Sequence, residues 1–196
     1  MKLLTLLLFG VFCWAKCSSA QDITPEFIKT RPPLSPELTF ELKKYEHFEL
    51  AVGEVTEVKI SSSNDIGYGI TRDEVKDAIE QGFLKPGYKF PKRMTKAEAD
   101  HWFKEITLPT YRAIVLETVK VPLTLEQETA LTFFAQNRGS GSLKKLVTGK
   151  DRLNSGNYQS VVKLMPRYYN TNNKGLRLRC EFQIYVFLGE QITPKS

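Results

Sequence analysis

The fold of this chain is decided by Tyr45-Glu46-His47-Phe48-Glu49-Leu50 and, further along, by Ile66-Gly67-Tyr68-Gly69. The first stretch ends a segment whose apolar residues recur at helical spacing. The second is a glycine-rich turn that follows a stretch of β-forming residues. An acidic residue at the end of a helix, facing such a turn across a hairpin, holds its carboxyl over a groove. Glu46 is therefore the first candidate for chemistry.

The residues around these stretches predict a helix followed by a small sheet. Ser35 and Pro36 are a typical N-cap and first helical residue, so residues 36–48 should form an amphipathic helix. Between residues 51 and 70, β-forming valines and isoleucines lead into turn-forming residues. This composition predicts a hairpin or a three-stranded sheet.

Beyond residue 70 the sequence predicts helices. Capping-box patterns, in which a threonine precedes a glutamate or glutamine by three residues, begin at Thr71, Thr95 and Thr124. The first pattern predicts a helix over residues 72–81, and Pro109 should kink or split the helix that starts after the second. Shorter helices are expected near residues 142–147 and 157–166.

The N-terminus is typical of a secretory signal peptide that is cleaved after Ala20. Lys2 supplies a positive charge, residues 3–12 are an apolar run of ten, and Ser18-Ser19-Ala20 forms a small-residue exit. An uncleaved membrane anchor is the less favoured alternative, because the apolar run is short for a membrane span. Residues 21–35 contain three prolines and are expected to form a lead segment over the surface.

Cleavage would leave 176 of the 196 residues, of which residues 36–196 are expected to form one domain. The leader contains two lysines and no acidic residue, so the net charge would fall from +6 to +4. A mildly basic exported protein is drawn to anionic polymers such as cell wall, nucleic acid or acidic lipid. Cys13 and Cys17 would leave with the leader, so Cys180 is expected to remain a buried thiol without a disulfide.

The quoted stretches resemble the catalytic motif of the phage-type lysozymes, the muramidases of glycoside hydrolase family 24. That family has Glu-Gly-Phe-Arg-Leu, a hairpin, and then Thr-Ile-Gly-Tyr-Gly-His-Thr. This chain has Glu46-His47-Phe48-Glu49-Leu50 and Asp65-Ile66-Gly67-Tyr68-Gly69-Ile70-Thr71. The resemblance extends over residues 36–189, with further family motifs in the same order at residues 94–100, 121–134, 137–139, 143–158 and 175–179.

The resemblance implies a lysozyme-like α+β fold that is mainly α. A small β lobe and a larger helical lobe would flank a groove for a glycan strand. The resemblance also favours a helix over residues 175–188, where the alternation of apolar residues by itself is typical of a strand.

Glycoside hydrolysis requires a protonated carboxyl beside the leaving oxygen and a second group on the opposite face of the sugar. The resemblance makes Glu46 the general acid. Partial burial against Tyr45 and Phe48 would raise the pKa of its carboxyl and keep it protonated near neutral pH. The alternative is a solvated glutamate on a charged helix face.

The second group differs from the family pattern. The family holds the attacking water with a hairpin Asp and with the Thr before Ile-Gly-Tyr-Gly. Here Val55 or, with a one-residue gap, Glu54 stands at the Asp position, Asp65 replaces the Thr, and Ile70 replaces the His. Either Asp65 or Glu54 serves as base or charge stabiliser, or catalysis is lost and the groove only binds. Alternatively, Asp65 is an ordinary turn residue whose carboxylate accepts hydrogen bonds from backbone N–H groups.

The candidate substrate-binding residues are Tyr68, Gln136 and Asn137. For Tyr68, packing in the scaffold is an equally favoured alternative. Arg179 is expected to hold the C-terminal helix to the rest of the domain. His47 and His101 show no ligand pattern, so no metal and no other cofactor is expected. The basic cluster within residues 85–96 is typical of a solvated face, and it would also attract wall polymers.

The sequence therefore predicts an exported muramidase that cleaves the glycan strands of peptidoglycan. The alternative is a non-catalytic lysozyme-like module that binds peptidoglycan or a protein. We expect a periplasmic or secreted monomer, with no nucleic-acid partner and no stable membrane insertion after cleavage. Carboxyls of Glu46 and Asp65 opposed across an open groove favour catalysis, whereas a groove filled by the hairpin or by Ile70 favours binding.

Overall fold

A computed structural model describes residues 22–35, 39, 65–170 and 172–189, together with the backbone of residues 58–59. The α-helices of these ranges are α1 (Pro25–Thr30), α2 (Arg72–Glu80), α3 (Lys96–Trp102), α4 (Leu108–Thr118), α5 (Leu125–Arg138), α6 (Ser140–Val147), α7 (Gln159–Leu164) and α8 (Lys174–Leu188). Tighter 3-10 turns lie at Leu153–Ser155 and Met165–Tyr168. Strands β1 (Val58–Lys59) and β2 (Arg93–Met94) pair in antiparallel register. Apart from residue 39, the predicted helix over residues 36–48 lies outside the described residues.

The three predicted threonine N-caps are confirmed, but the full capping box predicted for Thr71 and Glu74 is wrong, because the Glu74 side chain binds Trp102 and Thr107 instead. The Oγ1 atoms of Thr71, Thr95 and Thr124 each accept a hydrogen bond from the backbone N–H three residues on. Full capping boxes form at Thr95 and Thr124, where the Glu98 and Gln127 side chains accept in return from the cap N–H. These local contacts fix where α3 and α5 begin.

The Glu74 carboxylate, three residues after Thr71, points into the protein. Its Oε1 accepts hydrogen bonds from Trp102 Nε1 at 2.9 Å and from Thr107 Oγ1 at 2.6 Å. Glu74 is almost completely buried, so its carboxylate needs such donors in place of water. The contact ties α2 to the long helical segment that begins with α3.

Where the sequence predicts a kink or split at Pro109, the structure has a π-helical turn, Phe103–Thr107, between α3 and α4. Pro109 stands in the first turn of α4. In a regular helix its ring would clash with the carbonyl of residue 105, which lies within the π turn. The wider turn relieves that clash, and the chain continues into α4 without a break.

Helix α5 is the centre of the core. Its side chains at Ala130, Leu131, Phe133, Phe134 and Ala135 have no exposed surface. Helices α4, α6 and α8 all pack against it, so it must be apolar on more than one face. The helix predicted over residues 175–188 is confirmed as α8, which contributes the buried Phe182 and Val186.

The lead segment is more ordered than the predicted surface tether. Thr24 caps the short helix α1, and Ile28 and Leu34 are buried. Arg31 Nη2 lies 2.7 Å from Glu128 Oε2, and Arg112 Nε donates to the other oxygen of the same carboxylate. A buried carboxylate shared by two guanidinium groups thus holds residues 22–35 against α4 and α5.

We expect Glu128→Ala to lower the free energy of unfolding by about 3–5 kcal/mol, because Arg112, only 5% exposed, would lose its counter-charge. Urea denaturation measures the change. Glu126→Ala, two residues earlier and outside the core, is the matched control and should cost only a few tenths of a kcal/mol, about the size of a helix-dipole contact. Equal losses in the two variants would contradict the role given to Glu128.

Cys180 is the buried thiol that the sequence predicted. Burial raises the pKa of this thiol to about 11, and the neighbouring Glu181 carboxylate adds to the increase. A chain beginning at residue 21 should therefore react with a maleimide at pH 8 roughly a hundredfold more slowly when folded than in urea. The native rate should rise with pH up to the raised pKa. Equal rates in the two states would show that the thiol is accessible.

Candidate functional site

The Ile66-Gly67-Tyr68-Gly69-Ile70 stretch forms a tight turn. Ile66 and Ile70 exchange both backbone hydrogen bonds, at 3.0 and 2.9 Å, and both side chains are buried. Gly67 has φ +61°, and a Cβ at this position would lie 3.2 Å from Ala99 Cβ and from Met94 Sδ. Only glycine combines that backbone conformation with that close approach. The turn is therefore pressed directly against β2 and α3.

Tyr68 has a structural role in the turn. Its hydroxyl donates to Asp100 Oδ1 at 2.6 Å, and its ring lies 5.4 Å from the ring of Phe103. Burial raises the pKa of Tyr68 well above its ordinary value, and the hydrogen bond and negative charge of Asp100 raise it further. Lys96 holds the other oxygen of Asp100 at 2.6 Å. Tyr68 thus fixes the turn on α3, and its hydroxyl stays protonated at any physiological pH.

Asp65 stands at the entrance of this turn and is partly buried. Its neighbour Ile66 is held by the two backbone bonds to Ile70, so the backbone at Asp65 has a defined position. Ile70, at the family's His position, is 1% exposed and packs in the hydrophobic core. Glu46 and Glu54, the other two predicted catalytic residues, lie outside the described residues.

The two other candidate residues, Gln136 and Asn137, form a network with Arg179. Asn137 Nδ2 donates to the Phe133 carbonyl at 3.0 Å and to Gln136 Oε1 at 2.8 Å. The Arg179 Nη1 group donates to Asn137 Oδ1. Arg179 is largely buried, so this bond joins the end of α5 to α8, in agreement with the expected role of Arg179.

This network fixes the orientation of the Gln136 amide. Its carbonyl oxygen is occupied by Asn137, and within the described part of the chain its Nε2 has no protein acceptor. The side chain is partly exposed. A fixed amide N–H of this kind matches the carbonyl of an N-acetyl group. Asn137 has both amide hydrogens engaged and is better suited to positioning Gln136 than to binding sugar.

Aromatic rings connect the turn to this network. The Tyr68 ring packs on Phe103, and the ring centroid of Phe103 lies 6.1 Å from that of Phe133. The backbone carbonyl of Phe133 is the one that Asn137 binds. The two parts of the candidate site therefore rest on one continuous stretch of core packing.

The sequence did not point to Asp100 or to Glu74. The long-range contacts of these carboxylates join residues 32 and 28 positions apart. Among the residues that the structure describes, no group of three His, Cys, Asp or Glu side chains is placed to hold a metal ion. In the same ranges no helix has the length and apolar character that a bilayer span requires.

The family described as phage lysozyme matches residues 43–181. The endolysin from Escherichia coli O157:H7 phage FAHEc1 has a similar structure, with a TM-score of 0.56 and 22% identity, covering 84% of this chain and 98% of that chain. The muramidase domain of SpmX from Asticaccaulis excentricus has a TM-score of 0.55 and 21% identity, covering 81% and 99% respectively. No curated protein sequence matches the chain. The structural likeness confirms the predicted lysozyme-like, mainly α fold.

Asn137→Ala should lower the free energy of unfolding by about 1–3 kcal/mol, because the largely buried Arg179 guanidinium would lose a hydrogen-bond acceptor. Chemical denaturation measures this loss. The exposed Asn172→Ala is the control and should change stability by less than about 0.5 kcal/mol. The assignment of Asn137 as the link between α5 and α8 would be wrong if the two variants were equally stable.

Proposed function

The chain belongs to the phage lysozyme family, and from this premise we propose that it is an exported muramidase that hydrolyses the glycan strands of peptidoglycan. The observation that carries the proposal is the glycine-rich turn after Asp65, which lies inside the matched region and is held against α3. This turn holds the backbone beside Asp65, and in the proposed function the Asp65 carboxylate acts on the sugar from there.

In the proposed mechanism Glu46 donates a proton to the leaving glycosidic oxygen. Asp65 acts on the opposite face of the sugar, with Glu54 as the alternative partner. If Asp65 takes a proton from the attacking water, the product has inverted configuration. If Asp65 itself attacks the anomeric carbon, a glycosyl–enzyme ester forms, and water then releases a product of retained configuration. In either route the proton that Glu46 donates is balanced by the proton that the attacking water releases, so no cofactor is needed.

The remaining site residues would bind and position the substrate. Gln136 would donate its amide N–H to the N-acetyl carbonyl of a sugar unit, with its orientation set by Asn137. Tyr68 would hold the turn in place through its hydrogen bond to Asp100 and would not itself contact the substrate. The signal-like leader at residues 1–20 supports export to the periplasm or the medium. Peptidoglycan lies outside the cytoplasmic membrane, so an exported protein would reach its substrate.

A second candidate function is wall binding without cleavage. Its support is the replacement of two active polar groups, because the family's Thr is Asp65 and its His is the buried Ile70. In this case the groove and the Gln136 amide would still bind glycan. Glu46 would then be an ordinary surface carboxylate, and its removal would have no consequence.

We expect Glu46→Gln to abolish release of reducing ends from purified peptidoglycan, a loss of at least about a hundredfold, because the amide cannot donate the required proton. The reducing-sugar assay should be paired with a thermal melt that shows an unchanged fold. Glu49→Gln, on the same charged segment, is the matched control and should keep full activity. Undiminished cleavage by the Glu46 variant would disprove the assignment.

Asp65→Asn and Glu54→Gln would identify the partner. Only the variant that removes the true base or nucleophile should lose as much activity as Glu46→Gln. A wild-type protein that sediments with peptidoglycan but releases no reducing ends would support the binding function instead.

A further inference from the structure

A cleft lies beside β2 and α3. It has a volume of about 410 Å³ and is lined by Tyr88, Pro91, Arg93, Met94, His101 and Trp102. We refer to it as the Tyr88 cleft. Its volume is within the range of small-ligand sites, roughly 300–1,000 Å³. None of these residues belongs to the candidate catalytic site described above.

The aromatic wall of the Tyr88 cleft is rigid. The Trp102 indole N–H donates to the buried Glu74 carboxylate at 2.9 Å, which fixes the plane of the ring. Tyr88 packs on Trp102 with ring centroids 5.5 Å apart, and yet it remains 41% exposed. A turn closed by the Tyr88 N–H to the Lys85 carbonyl, at 3.1 Å, holds its backbone. An exposed ring that is already ordered loses little entropy when it binds a ligand.

The surroundings of the cleft are strongly basic. Residues 81–97 contain five cationic side chains and no acidic residue. All five are exposed, namely Lys85, Lys89, Lys92, Arg93 and Lys96. Glu98 lines the cleft and keeps its negative charge while it caps Thr95, and Asp100 pairs with Lys96. With five cations against two carboxylates, residues 81–100 keep a net charge of +3. This distribution creates a positive potential that attracts a polyanion.

We propose that the Tyr88 cleft is a second, non-catalytic binding site for a glycan that carries carboxylates, as wall glycan with its acidic peptides does. The apolar face of one sugar ring would pack on the exposed Tyr88 ring. Carboxylates on the strand would pair with Lys89, Lys92 and Arg93. The choice of wall glycan as ligand rests on the proposed function, whereas binding itself requires no cleavage.

A single aromatic platform favours a glycan over a nucleic acid. Single-stranded nucleic acids are held by several rings on which successive bases stack. Of the two Tyr and Trp rings among the described residues that line the cleft, Tyr88 is substantially exposed and Trp102 is buried. The cleft also adjoins the turn at residues 66–70, because Met94 lines the cleft and faces Gly67 from β2. A strand held at Tyr88 would therefore keep the protein on the wall close to the turn that carries Asp65.

The stacking part of the proposal is tested by co-sedimentation of the mature chain with purified peptidoglycan sacculi. Glu46→Gln is used as the background, so that no cleavage occurs during the assay. Tyr88→Ala should weaken binding about fivefold to tenfold, and Tyr88→Phe should retain it. Tyr185→Ala removes an equally exposed tyrosine from α8 and should have no effect. Equal binding by the Ala variants at positions 88 and 185 would overturn the proposal.

The charge part is tested with two double variants of equal net charge. Lys89→Gln with Lys92→Gln should weaken binding to sacculi and reduce its dependence on salt. Lys144→Gln with Lys145→Gln, on exposed positions of α6, should do neither. Binding to chitin, a neutral amino-sugar polymer, should depend on Tyr88 but not on Lys89 and Lys92. Equal losses in both double variants, or tighter binding of DNA than of sacculi, would refute the site.

These outcomes are independent of catalysis. If Glu46→Gln leaves lytic activity unchanged, the hydrolytic assignment fails, while a specific effect of Tyr88→Ala on binding still supports the second site. If sacculi do not bind at all, the second site is refuted whatever the outcome of the lysis assay.

Discussion

Burial of the central part of α5, residues 128–135, is the constraint on which the rest of the structure depends. Leu131, Phe133 and Phe134 have no exposed surface, so neighbouring helices must cover every side of the helix. α4, α6 and α8 provide that cover. Because α5 ends at Arg138, its packing also determines where Gln136 and Asn137 emerge from the core. The position of these polar side chains is therefore a consequence of apolar packing, and their own hydrogen bonds refine it.

Two buried carboxylates determine how the outer elements attach to this core. Glu74 binds Trp102 and Thr107 and so fixes α2 relative to the segment from α3 to the π turn. Glu128 does the same for the lead segment through Arg31 and Arg112. A buried charge is costly to leave without its partners, so each carboxylate disfavours alternative arrangements of its neighbours. The contribution of such groups is to select one packing as well as to stabilise it.

Local signals in the sequence were sufficient for the helices but not for their polar contacts. The caps at Thr95 and Thr124 depend on residues three positions apart, so the pattern alone predicts them. The glycines at 67 and 69 likewise predict the turn. In contrast, the bond from Tyr68 to Asp100 and the one from Arg179 to Asn137 join distant positions, which periodicity does not reveal. For α8 the strand-like alternation was misleading, and the family resemblance gave the right answer. The buried face of α8 includes the polar Gln183 and Arg179, while Leu178 and Tyr185 are exposed, so the apolar pattern does not follow burial.

The turn shows how a site can change its chemistry while its geometry persists. The shape of the turn depends on Gly67, on the backbone bonds between Ile66 and Ile70, and on the burial of both isoleucines. None of these contacts involves the side chain at position 65. The family's threonine can therefore become Asp65 without loss of the turn, and its histidine can become a core residue. Chemistry at such a site is set by one replaceable side chain on a scaffold that core packing maintains, so a shared fold permits hydrolysis but does not require it.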